Sequence, residues 1–94
     1  MLVVAGILGG IFGYRGQLNS DADLNSVITN GNYLIYRFTN IINTPTTDNV
    51  GGGLLVIAID YMIIQIVFVD DERLYYRNKW GYSDWTIWNK ISIT

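Results

Sequence analysis

The longest and most apolar stretch of the chain is residues 54–69, LLVIAIDYMIIQIVFV, which is also its richest in β-branched side chains. Two strand-length runs meet in it at Asp60-Tyr61, a pattern that predicts a tight antiparallel hairpin at the centre of one sheet. The dipeptide is neither Asn-Gly nor Asp-Gly, so the turn type stays open. Gln65 interrupts the second run. A buried side-chain amide carries two donors and an acceptor, each costing roughly 1–3 kcal/mol if left unpaired. Such a residue either satisfies backbone groups inside the fold or points into a site, and the first reading is the more economical.

Alternation and punctuation predict the other elements. Residues 32–38, NYLIYRF, read as a strand, with Tyr33, Ile35 and Arg37 on one face and Leu34, Tyr36 and Phe38 on the other. Residues 73–79, RLYYRNK, read as a further strand, and Ile87, Ile91 and Ile93 alternate as a last short one. Between residues 19 and 29, Asn19 and Ser20 can cap a short helix, Asp21 and Asp23 suit its N-terminal end, and Leu24, Val27 and Ile28 fall on one face. Asn30-Gly31 would end it. Residues 39–53, rich in Asn, Thr and Gly and holding the one proline, Pro45, read as a long surface loop. The sum is an α+β domain, a small antiparallel β-meander of four to five strands packed on one short helix.

Residues 1–13, MLVVAGILGGIFG, are uncharged and contain Gly6, Gly9, Gly10 and Gly13. The run is shorter than the ~20 residues of a membrane-spanning helix, and it lacks the basic start and small-residue cleavage site of a secretory signal. It reads as a glycine-rich apolar arm packed against other chains, or as the truncated edge of a longer one, ahead of a domain over residues 14–94.

Composition narrows the chemistry. Of the 94 residues half are hydrophobic and 15% are charged, so solubilising surface is scarce and much of the apolar area is either buried in a partner or prone to aggregate. Cysteine and histidine are both missing, which excludes thiolate metal sites, disulfides and the Ser-His, Cys-His and HExxH arrangements. A net charge of −2 with six scattered basic residues offers no track for phosphates, so nucleic acid is not an expected partner. No cofactor and no metal is expected. The triple glycine 51–53 lacks the lysine and following helix of a phosphate loop. Asp70-Asp71-Glu72 reads as a solvated turn before a calcium site. Two carboxylates would suffice for sugar hydrolysis, but the eight present cluster at turns and loops with nothing to shift them.

The aromatic residues say more. Trp80, Tyr82, Trp85 and Trp88 crowd into nine positions, and indole faces stack on the C–H faces of sugars. Trp85 and Trp88 as plugs closing the end of the sheet is the competing reading. Arg77, on a strand among apolar residues, must emerge, stack on an aromatic ring or pair with an acid, Asp84 being nearest in sequence. Trp80, Tyr82, Trp85 and Arg77 are therefore the candidate ligand-binding residues.

The order Arg15-Gly16-x-Leu18, Asp23-Leu24-Asn25, Gly31-x-Tyr33, Asn43-x-Pro45, Gly53 before Leu54-x-Val56, Gln65, Tyr76-Arg77 and Trp85-x-x-Trp88 resembles the pyocin knob domain found in tail fibres of bacteriophages and phage-tail-like bacteriocins. The similarity runs from Tyr14 to Ser92. It implies a compact α+β knob along a trimeric fibre and an extracellular virion component near the host-binding end. Homotrimer mates or other fibre subunits and a bacterial surface glycan would be its partners, with no membrane span. Asn25 and Gln65 match the pattern as fold-defining polar residues. The apolar arm at residues 1–13 lies outside it. Outside the resemblance, a stand-alone carbohydrate-binding module using residues 80–88, a small hydrolase and an envelope protein anchored by the arm are the other functions considered.

Overall fold

The computed structural model describes residues 13–92. Residues 1–12 of the arm expected over residues 1–13, and the isoleucine expected to end the last strand, Ile93, lie outside the described residues. Six strands form one sheet in sequence order: β1 (Tyr14–Gln17), β2 (Gly31–Ile35), β3 (Gly52–Ile59), β4 (Met62–Val69), β5 (Leu74–Trp80) and β6 (Asn89–Ile91). β1 runs parallel to β2, and every later neighbour is antiparallel.

The hairpin of β3 and β4 lies at the centre, and its two-residue turn is Asp60-Tyr61, as the pattern predicts. Asp60 takes the left-handed conformation, with φ 51°. Pairing of Ile59 with Met62 and of Val56 with Gln65 fixes the register. Leu54, Val56, Gln65, Val67, Val69, Tyr75 and Arg77 thus share one face, together with Tyr33 and Ile35 of β2.

Two irregular segments cover that face. Residues 18–27 bring Leu18, Ala22, Leu24 and Val27, and residues 38–50 bring Phe38, Ile41 and Val50. Leu24, Ile35, Phe38, Leu54, Val56 and Val67 are buried, each contributing about 1.5–3 kcal/mol. Gly52 lets β3 approach its neighbours closely, since a Cβ there would fall 1.9 Å from the Phe68 carbonyl oxygen. The triple glycine serves backbone packing in this way, as the start of a strand.

The expected short helix over residues 19–29 is corrected. Among the described residues there are only 3-10 turns, Leu24–Ser26 and Phe38–Asn40, so the architecture is β-rich and not an α+β sheet packed on a helix. Tertiary partners take the backbone groups that a helix would need. Asp21 has φ 70°, Asp23 bridges to Ile42, and the Leu24 amide donates to the Ile42 carbonyl (3.0 Å). Asp23 still caps the single turn through the Asn25 amide (2.9 Å). The second strand also ends earlier than its alternation suggests. Ile35 is its last residue, and Phe38 turns inward on the second 3-10 turn and becomes a core residue.

Among the described residues no segment packs over the opposite face of the sheet. Leu34, Leu55, Ile57, Ile59, Met62, Ile64, Ile66, Phe68, Leu74, Tyr76 and Trp80 line it together with Asn32 and Asn78, with no charged residue from β2 to β5. Leu34, Ile59, Phe68, Tyr76 and Trp80 are exposed, and the residues between them are half-buried.

Candidate functional site

The site grows from one cross-strand pair. Gln65 and Arg77 stand opposite each other on β4 and β5, on the covered face, with 0% and 4% of their surfaces exposed. Gln65 donates through Nε2 to the carbonyls of Leu24 (2.6 Å) and Val27 (2.9 Å), and its Oε1 accepts from Arg77 Nε (2.8 Å). Both donors and the carbonyl oxygen of its amide are therefore engaged. Gln65 thus bonds backbone groups of the covering segment and the guanidinium at once.

Arg77 does not pair with Asp84. Its guanidinium carbon lies 4.2 Å from the Trp85 ring centroid and 4.5 Å from that of Trp88. Indole faces attract a cation electrostatically, and a planar guanidinium suits such stacking. Burial pushes the Arg77 pKa down to about 10, opposed in part by the Asp23 carboxylate, and the side chain stays charged at neutral pH. Its Nη2 is buried and donates to no acceptor.

The segment carrying both tryptophans is pinned at several points. Thr86 donates its amide to the Asn78 carbonyl (2.8 Å) and accepts from the Asn78 amide at Oγ1 (3.0 Å). Trp88 Nε1 donates to the Asn43 carbonyl (2.9 Å), and Asn43 Nδ2 donates to Asp23 Oδ1 (2.7 Å). Residues 23–25, 43–44 and 84–88 are thereby gathered around Arg77. They enclose an open cleft of about 490 Å³, with Arg77, Trp85 and Trp88 in its wall and Asn25, Thr44, Asp84 and Ile87 among its other lining residues.

The candidate ligand residues do not form one group. Arg77 and Trp85 meet in the cleft, whereas Trp80 is 60% exposed on the bare face of the sheet and Tyr82 stands fully exposed at the tip of the following turn. Asn25 is exposed on the cleft lining, and Gln65 holds Arg77 from beneath. Trp88, read from sequence as a core plug, supplies the second wall of the arginine stack. The chain signals this through the Trp85-x-x-Trp88 spacing and a lone arginine in a greasy strand.

Elsewhere the charged groups are superficial. Arg73 bridges Asp71 (2.8 Å) and Asp48 (2.9 Å) at the turn after β4. That contact holds the Asp71 carboxyl below the usual carboxylate range and raises the Arg73 pKa. Among the described residues no three metal-ligating side chains cluster, and no helix is long and apolar enough to cross a membrane.

Comparison with solved structures is decisive for the fold. The chain is similar to the R1 pyocin fibre of P. aeruginosa, in a structure comprising its C-terminal residues 323–701, with a TM-score of 0.77 and 23% sequence identity. The fold is pyocin-fibre-like. The likeness covers 92% of this chain and 24% of that one, so this chain spans about a quarter of the fragment. No family model matches the chain, and no curated protein does.

Proposed function

We propose that the chain is a non-enzymatic structural and adhesive module of a phage-type tail fibre, a virion component outside the cell at or near the host-binding end. Its partners are two further copies of itself in a homotrimer, or other fibre subunits. The bare face of the sheet carries this reading. A contiguous apolar surface across four strands is far larger than the scattered hydrophobics of an ordinary monomer, and obligate interfaces have this character. The fibre-like fold supports the same reading.

Light-scattering mass at two concentrations tests it. The expected result is three times the protomer mass for the native chain and one protomer mass for Tyr76→Lys, a change on the exposed part of that face. A native chain that stays monomeric at both concentrations overturns the homotrimer and leaves other fibre subunits as the partners of that face.

The cleft favours a second reading, a carbohydrate-binding module using the aromatic segment of residues 80–88. Two half-buried indoles and an arginine around an open cavity are a suitable surface for a sugar. Glycan-array binding that disappears in Trp85→Ala, in a protein that still unfolds cooperatively, is the expected result.

A further inference from the structure

We infer that the Arg77 cleft is a subsite for a saccharide bearing a single carboxylate, such as a uronic acid, with the guanidinium as its anchor. This rests on the carbohydrate-binding reading and adds the chemistry of the ligand. Three observations carry it. Arg77 Nη2 is buried and has no acceptor, although an unpaired charged donor in a fold is costly. The residue lines an open cleft of about 490 Å³, within the roughly 300–1,000 Å³ of small-molecule sites. Gln65 occupies Nε and the two indoles stack on the group, so the position of the guanidinium is fixed from beneath and its Nη2 is left as the donor to be met.

The choice of carboxylate follows from charge and shape. A planar guanidinium edge matches a planar carboxylate, and such charge-assisted bonds are about twice as strong as neutral ones. Asp84 lies on the cleft wall and the Asp23 carboxylate acts on Arg77 from nearby. Two negative charges beside one positive charge repel a phosphate dianion more than a monoanion. Because Nη2 is buried, a carboxylate reaches it only if the half-buried Trp85 ring shifts on binding, and Asn25 and Thr44 bring polar side chains to the cleft for hydroxyls.

The test is an NMR titration of the ¹⁵N-labelled full chain, following the tryptophan indole and arginine Nε–H signals, with glucuronate, glucose and acetate as separate probes. Glucuronate is expected to shift the Trp85 indole signal and to bind about ten- to a hundredfold more tightly than glucose, the range that one charge-assisted hydrogen bond supplies. Arg77→Lys is expected to erase that preference. Because Arg77 is buried, Asn25→Trp serves as the second variant: it fills the cleft from an exposed position and should abolish binding with the thermal midpoint unchanged. Equal binding of glucose and glucuronate overturns the inference and leaves the carbohydrate reading standing. Absence of binding by either sugar overturns both. Acetate as tight as glucuronate, or glucuronate binding that survives Asn25→Trp, also overturns it.

Discussion

Gln65 and Arg77 face each other across β4 and β5, and one side-chain amide ties the guanidinium to two backbone carbonyls of the covering segment. The sheet, the 3-10 turn at Leu24–Ser26 and the cleft are thus joined at a single residue.

Gln65→Leu keeps the volume and removes all three bonds. The Val27 carbonyl and Arg77 Nε lose their partners, whereas the Leu24 carbonyl keeps the Val27 amide (3.2 Å). Two orphaned buried groups cost about 2–6 kcal/mol together, a large part of the stability of a domain this size. Urea unfolding should show that loss, and the tryptophan fluorescence should report a rearranged Arg77 stack.

Adjacent glycines should behave differently. A Cβ at Gly52 would lie 1.9 Å from the Phe68 carbonyl oxygen, so Gly52→Ala forces the two central strands apart. A cost of about 3 kcal/mol or more is expected, in the range of severe core strain. At Gly53 the nearest atom is the Tyr33 carbonyl oxygen at 3.3 Å, and Gly53→Ala should change stability by no more than about 1 kcal/mol. Parallel urea titrations of the two variants check the contrast.

The hairpin turn can be improved. Asp60 has φ 51°, a conformation that glycine adopts without steric cost. Asp60→Gly should therefore raise stability by a few tenths of a kcal/mol, offset in part by the added freedom of the unfolded chain. A higher thermal midpoint with unchanged cooperativity is the expected readout.

Arg73 supplies a pH-dependent contrast. Its contact lowers the Asp71 pKa in the folded chain, so the carboxylate is stabilising above its unfolded pKa, and the contribution fades as pH falls through the lower folded value. The bridge is exposed, so its effect is small and screened by salt. Native chain and Arg73→Ala should differ slightly at neutral pH and low salt, and converge in acid and in high salt. Urea midpoints across pH measure this.

The central hairpin was legible to the residue, because strands paired through a two-residue turn leave period-two patterns bounded by a polar break at Asp60. Gln65 was legible as a buried satisfier because so few roles exist for an amide between isoleucines. The helix was misread because Asp21, Asp23 and Leu24 carry helix-start signals that a local reading credits fully, while Ile42 and Gln65 compete for the same backbone from distant parts of the chain. β1 was missed for a related reason: Tyr14–Gln17 contains Gly16 at φ 106° and pairs irregularly with β2. The bare face had a visible signal, since an uninterrupted apolar run makes both sides of a strand greasy, but which side stays uncovered depends on where residues 18–27 and 38–50 settle. Of the residues singled out for a ligand, Arg77 and Trp85 come together at the cleft. Trp80 was separated from them by strand parity, which places it with Met62 on the other side.

Among the described residues the two flanks of the sheet are meagre: four residues in slipped register at β1 and three at β6. Little free backbone remains there for a neighbour to zip onto, which is how natural sheets resist ribbon-like runaway growth. On the proposed reading, partners would meet this molecule broadside, and a greasy side once closed would leave no room there for a further copy.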